Sequence, residues 1–354
     1  MSGGVDSSVA VALLIEQGYD VSGGIMRLLE NPLAIEDAQK VADKLGISLH
    51  IFDLRKEFED EIISYFIDSY LNGNTPNPCV MCNKKLKFGR FLEKALEMGF
   101  DYIATGHYAK IVKDETDGLY SLVKSDNDRK DQTYFLYNMT QHELSHTLFP
   151  IGDYDKDYIR NKAEEFNLPV AKKKDSQDIC FIPDGDYIKF IFERSEKSLY
   201  RPGSYVDTNG NVIGGHKGLC NYTIGQRNGL GVGFGKKMYV ISLDAQNNRV
   251  ILGDDSALYK NSLIAGKMTF TAGGSDSTNI CDEIINIINT TGLDCEAKIR
   301  YRAKPVQSKI NKIDKNNRIQ VVFEEPVRAV TPGQSIVFYN GNKVLGGAVI
   351  LDME

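Results

Sequence analysis

Apolar positions in the first half of the chain alternate between a helical and a strand-like period. Val9, Ala12, Leu13 and Glu16 fit a helix opening near Asp6, and a β-rich run follows at residues 19–26. The same pattern predicts a helix over about 35–45, a strand over 48–54 and a long helix over about 58–71. After a Pro-rich loop it predicts a helix near 84–98, a strand at 102–105 and further helices past 157–166. Strand after helix in this order implies a parallel sheet covered by helices on both faces. The period changes after Arg201-Pro202-Gly203. Turn signals at Asn209-Gly210-Asn211, 244–248 and Asn340-Gly341-Asn342 each separate short strands, and the Gly-rich stretch 225–235 reads as a loop over a surface. The expected organisation is an α/β nucleotide-binding domain over 1–200, a small β-rich unit over 201–262, and a barrel or sandwich over 263–354, with a barrel preferred.

A chain of 354 residues is long enough for two or three such domains. Its hydrophobic fraction of 42% and charged fraction of 25% are those of ordinary globular protein. No apolar run is long enough to span a bilayer, so no membrane partner is expected. Six cysteines over this length are too sparse for a secreted disulfide scaffold, which favours a cytoplasmic location. The net charge of -6 weighs against nucleic acid as a partner. Three local basic runs weigh the other way: Lys84, Lys85, Lys87 and Arg90; Lys172 to Lys174; and Lys298, Arg300, Arg302 and Lys304. Taken singly, each reads as a solvated face.

Ser2-Gly3-Gly4-Val5-Asp6-Ser7-Ser8 carries the sharpest chemistry. Two glycines let the backbone curl around an anion, and amides at the helix start point into the concavity. Asp6 can help hold Mg²⁺ on bound phosphates. A bare Gly-Gly pair would be an ordinary turn; the full string is more specific. It begins at Ser2 with no strand ahead of it. Such loops are normally fed by a central parallel strand, so the expectation is a true start upstream of Met1. Next, Cys79-Val80-Met81-Cys82 lies in a Pro-stiffened loop, with Asn83 as a cap for the helix expected after it. A cysteine just before a helix start, beside Lys84 and Lys85, is expected to have a lowered pKa. Half of a zinc site is the alternative for CxxC, but no second CxxC or His pair supplies the other ligands. Cys220, Cys281 and Cys295 have no comparable context.

These motifs together resemble the bacterial tRNA-specific 2-thiouridylase family of the ATP-pyrophosphatase (PP-loop) superfamily. The resemblance runs through SGGVDSS, TPNPCVMCNKKLKF, ATGHYAK, KDQTYFLY, KKDSQDICFI, GGHKGLCNYTIGQRNGLG, KIRYRA and TPGQS in order. It implies ATP on Ser2, Gly3, Gly4, Val5, Asp6 and Ser7, with Met26 and Gly106 near the nucleoside. Adenylation of a wobble uridine 2-carbonyl would follow, with sulfur arriving as a persulfide on Cys180 and Cys82 as the second active thiol. Asn77, Pro78 and Cys79 fall where the family meets the target base. His107, Lys130, Asp131, Gln132, Arg300, Tyr301 and Gln334 fall where it touches tRNA. The implied partners are tRNAs for lysine, glutamate and glutamine, and a cysteine desulfurase or its relay partner.

Many members carry aspartate where this chain has Cys79. Three thiolates, on Cys79, Cys82 and Cys180, could instead hold a [4Fe–4S] cluster, so persulfide and cluster routes both stay open. Two rival functions remain: another adenylating enzyme with this loop, and an inactive protein that binds ATP or tRNA.

Overall fold

The computed structural model describes residues 1–353 except 31, 128, 175–178, 196–200, 232, 234, 273–277, 315 and 317. Residues 175–178 of the KKDSQDICFI motif therefore lie outside the described residues, as does the side chain of Cys281.

The first domain opens with helix α1, Val5–Glu16, which is apolar on nearly every side and accordingly buried. Val5, Val9, Ala10 and Leu13 pack with Val41 of helix α2 (Pro32–Leu45), with Tyr108, and with Ile159 and Ala163 of the Lys156–Glu165 helix. Strand β1, Gly23–Arg27, pairs in parallel with β2, Leu49–Asp53. A second parallel pair joins β3, Ile103–Ala104, to β6, Thr147–Leu148. The expected parallel sheet is thus present as two separate two-stranded pieces. The Met1 ammonium donates to the Gly24 carbonyl of β1.

Two long helices flank these strands. Arg55–Phe58, Glu59–Ile63 and Ser64–Leu71 run on as one helix whose middle piece is π-wound. Pro78–Cys82, Asn83–Phe91 and Leu92–Glu97 do the same. The second helix begins earlier than its periodicity suggests. Asn77 is its N-cap, with Oδ1 accepting from the Val80 amide at 3.3 Å, and Pro78 sits where a missing N–H costs nothing.

The middle unit is a four-stranded sheet of β7 (Gly203–Val206), β8 (Val212–His216), β9 (Tyr239–Asp244) and β10 (Arg249–Gly253), in the order β8-β7-β10-β9. The C-terminal part is a closed barrel of six strands. They are β11 (Tyr259–Phe270), β12 (Leu293–Lys298), β13 (Val306–Ile313), β14 (Ile319–Arg328), β15 (Ser335–Asn340) and β16 (Lys343–Met353). Closure comes from β11, which pairs with both β14 and β16. A hairpin of the first domain, β4 (Ala109–Lys113) and β5 (Tyr120–Lys124), adds onto β16. One core then crosses the junction, with Val80, Phe88 and Leu92 packed in a cluster with Tyr134, Tyr137, Val337 and Tyr339. The barrel is therefore seated directly against the helix that carries Cys79 and Cys82.

Candidate active site

The loop before α1 is shaped by close approach. Gly3 has φ +67°, and a Cβ there would lie 2.9 Å from the Ala34 carbonyl oxygen. Gly106, just past β3, has no room for a Cβ, which would fall 2.6 Å from Asp6 C and Ser7 N. Gly4 is the N-cap of α1 and makes no side-chain cap to the first-turn amides. The hydroxyls of Ser7 and Ser8 donate to the Gly4 carbonyl at 3.2 and 2.8 Å, and the Ser2 amide donates to Ser7 Oγ at 3.1 Å. These hydroxyls brace the loop.

Two lysines hold the loop in a way the sequence did not single out. Lys156 Nζ is 2.6 Å from Asp6 Oδ1, which also accepts from the Tyr108 hydroxyl at 3.2 Å. Lys173 donates to the Gly3 carbonyl at 2.9 Å and to Asp37 at 2.8 Å, and this contact holds the Asp37 carboxyl below its usual pKa. Lys173 belongs to a basic run in the sequence, and its head lies on the anion loop. Met26 is half-buried near the end of β1, and Gly106 follows the end of β3. In α/β folds, nucleotides bind outside such carboxyl ends.

The thiols correct one expectation. Cys82 does not precede a helix start but lies inside the 78–97 helix, against a cluster containing Phe58, Leu86 and Phe181. Burial pushes its thiol up to about 12, with a countering pull from Lys87. The thiolate loses more in desolvation than the Lys87 ammonium returns. Cys79 and Cys180 are exposed at the surface but crowded, and desolvation raises both thiols. Lys84 and Lys85 are not the relevant cations. Lys84 donates to Asn138 at 3.3 Å, and Lys85 lies 3.9 Å from Glu61. Asn83 is buried and donates to the Phe135 carbonyl at 3.0 Å, so it ties the helix down rather than capping it.

Lys87 links the two halves of the site. Its charge acts on Cys79, Cys82 and Cys180, and its Nζ is 3.4 Å from His107 Nε2. His107 Nδ1 is 2.8 Å from Thr105 Oγ1. Burial and Lys87 hold the His107 imidazole well below its usual range, so it is neutral at pH 7. With an ammonium on Nε2, that nitrogen accepts and Nδ1 carries the proton. His107 directly follows Gly106, the residue pressed against Asp6 and Ser7.

The remaining candidate residues fall into the first domain's junction with the barrel. Asp131 is buried, accepts from Thr133 Oγ1 at 2.7 Å, and has its carboxyl pushed up by desolvation. Gln132 Oε1 accepts from the Tyr108 amide at 2.9 Å. Tyr301 packs on Phe135 with ring centres 4.6 Å apart. Arg300 donates to the Ala329 carbonyl and to Thr331 Oγ1, and Gln334 to the backbone of Thr75 and Pro76. Lys130 is half-buried beside them in sequence. The five described free cysteines form no disulfide. Among the described residues no three His, Cys, Asp or Glu side chains form a group able to hold a metal ion. The thiols of Cys79, Cys82 and Cys180 lie near enough to act electrostatically on one another and so share one neighbourhood. No helix among the described residues is long and apolar enough to cross a membrane.

Comparison with known proteins decides the family. Residues 1–184 match the tRNA methyl transferase HUP domain, 189–254 the tRNA methyl transferase PRC-barrel domain, and 277–350 the aminomethyltransferase β-barrel domain. A protein of Clostridioides difficile named tRNA-specific 2-thiouridylase MnmA is 48% identical over 362 residues, covering 99% of this chain and 96% of its own. Chains of the same name from Acetivibrio thermocellus and Carboxydothermus hydrogenoformans are 48% and 44% identical over 364 residues. Each comparison covers 99% of this chain, and 97% and 96% respectively of the relative. The chain belongs to the MnmA family. Membership accounts for the order of the three domains, and it makes the shared neighbourhood of anion loop and thiols the natural place to look for chemistry.

Proposed function

We propose that this chain is a tRNA-uridine 2-sulfurtransferase that uses ATP to activate the wobble uridine and a persulfide to replace its 2-oxygen. One observation carries the reading: Lys87 couples electrostatically to all three thiols and lies 3.4 Å from His107, which adjoins the Gly106 backbone packed on the anion loop. A phosphate-activated carbon and an incoming sulfur have to meet in one place, and these residues bring both halves together.

The glycines and first-turn amides of α1 would hold the triphosphate, with Asp6 holding Mg²⁺ while exchanging or sharing its Lys156 contact. Met26 and Gly106 would border the nucleoside. The uridine O2 attacks the α-phosphorus, the α–β bond breaks, and pyrophosphate leaves. Cys180 carries the persulfide. Cys82 attacks its inner sulfur, giving a Cys82–Cys180 disulfide and hydrosulfide; hydrosulfide adds at C2, the C2–O bond breaks, and AMP leaves. An external dithiol then reduces the Cys82–Cys180 disulfide by two electrons and is itself oxidised to a disulfide. Exposure of Cys180 suits loading by a separate donor, and a wobble base is accessible because an anticodon loop is single-stranded. The expected setting is the cytoplasm, with tRNAs for lysine, glutamate and glutamine and a cysteine desulfurase or relay protein as partners.

The test is stoichiometry with purified chain, tRNA, ATP and a persulfide donor. One AMP and one pyrophosphate per 2-thiouridine support the scheme. ADP as the product would overturn it.

A further inference from the structure

We propose that the cleft between the 78–97 helix and the bulge of β11 is a seat for the phosphate backbone of the bound tRNA, with Lys84 and Lys267 as its cations. The proposal rests on the reading of tRNA as substrate, and it adds a binding site apart from the thiols and the anion loop.

The cleft has a volume of about 350 Å³ and takes its walls from three segments. Lys84, Lys85 and Arg90 come from the helix, Phe135 and Asn138 from the segment after Asp131, and Thr269 from β11. A small network sets the barrel against the helix. Lys84 Nζ donates to Asn138 Oδ1 at 3.3 Å, and the same oxygen accepts from Thr269 Oγ1 at 3.1 Å. Lys267 stands two residues before Thr269, inside a bulge where the β11–β16 register shifts between Gly266 and Thr269. Its φ of 54° is in the left-handed region, which a residue with a Cβ adopts only when its surroundings enforce it. Bulges re-aim side chains, and this one leaves Lys267 exposed.

The carboxylates at the cleft are already committed. Glu93 lies 3.3 Å from Arg90 and Glu61 3.9 Å from Lys85, while Glu143 accepts from the Thr140 amide and hydroxyl at 2.6 Å each. Lys84, by contrast, is held by a neutral amide oxygen and is open to solvent. Desolvation at the cleft wall and the like charges of Lys85 and Lys267 lower its pKa, with Glu143 pulling the other way. An ammonium crowded by other cations gains more from an arriving anion than a solvated lysine does. Phosphate oxygens suit such point charges. The place favours RNA as their source: Phe135, in the cleft wall, packs on Tyr301 with ring centres 4.6 Å apart, and Tyr301 is a residue the family resemblance puts against tRNA. The other two basic runs have heads turned inward, with Lys173 on the Gly3 carbonyl and Arg300 on Thr331 Oγ1.

The experiment measures tRNA affinity of the full chain from about 50 to 200 mM salt, with thermal unfolding alongside. Lys84→Met and Lys267→Met should each make the slope of log affinity against log salt shallower by about 1, and the double variant by about 2. Lys84→Arg, which keeps the charge, should hold the parent slope. So should Lys44→Met, an exposed lysine on α2 far from the cleft in sequence. The parent slope in both Met variants would overturn the proposal. Lower affinity at every salt concentration with the parent slope would overturn it too, and would make Lys84 a brace for Asn138. Parent-like tRNA binding with slower persulfide loading by a donor protein would overturn it and assign the cleft to that protein. A parent chain that binds no tRNA would sink the proposed function along with the seat, whereas a parent that binds normally and is matched by both Met variants sinks the seat alone.

Discussion

Gly106→Ala is the sharpest perturbation of the anion loop. The added methyl would sit 2.6 Å from Asp6 C and Ser7 N and 3.0 Å from Asp6 Cβ. The first two are backbone atoms at the start of α1, so no side chain can swing aside. Ordinary contact requires the loop and the segment after β3 to separate by about 0.8 Å, and overpacking of this kind costs about 1–3 kcal/mol. Because the strain falls on the residues that present the amides, it should appear in triphosphate binding. ATP affinity should drop roughly 5- to 150-fold, the factor that range of energy corresponds to. Gly233→Ala is the control, since a Cβ there meets nothing within 4 Å. The assay is equilibrium titration of ATP against each variant, with thermal unfolding run alongside. Wild-type ATP affinity and an unchanged melting temperature in Gly106→Ala would refute the reasoning, because they would mean the close approach does not shape the loop.

Three further outcomes follow from the same contacts. Cys82, with its thiol pushed up to about 12, should label with iodoacetamide at pH 8 on the order of a thousandfold more slowly than a free cysteine; a labelling midpoint near the free value of about 8.5 would contradict the burial argument. Lys87→Met should slow that labelling further, whereas Lys84→Met should leave it unchanged, because Lys84 is engaged with Asn138. His216 is buried and neutral, with Nδ1 accepting from the Gly218 amide at 3.0 Å and Nε2 donating to the Asn248 carbonyl at 3.1 Å. Burial lowers its pKa below 6.5, so its contribution is complete above that pH and is lost as pH falls and the unfolded chain takes up the proton first. Stability measured by thermal unfolding should decline from pH 7.5 to 5.5, and His216→Gln should make that decline shallower, with the share that comes from His107 remaining.

What the sequence made legible follows from how local each signal is. Helix α1, strands β1 and β2, and the 55–71 helix could be read because their apolar period lies within a few turns. The start of the 78–97 helix was hidden by Pro76 and Pro78, although Asn77 before a proline is itself a start signal. Barrel closure between β11 and β16 joins segments at opposite ends of the last domain, and the β4–β5 hairpin joins it from another domain. Neither pairing leaves a local trace. The raised thiol of Cys82 is hidden for the same reason: Lys84 and Lys85 are visible as neighbours in sequence, whereas Phe58 and Phe181 arrive only through folding. Lys173 looked like part of a solvated basic run, and only the fold sets it on the Gly3 carbonyl and Asp37.

The central claim, sulfur transfer to a tRNA uridine through Cys82 and Cys180, is tested most directly by nucleoside mass spectrometry of tRNA from a thiolase-deleted bacterium expressing this chain. Restored 2-thiouridine, abolished by Cys82→Ser and by Cys180→Ser but retained in Cys79→Asp, is the predicted result. Restoration that survives Cys82→Ser, or that disappears in Cys79→Asp, would contradict the two-thiol account.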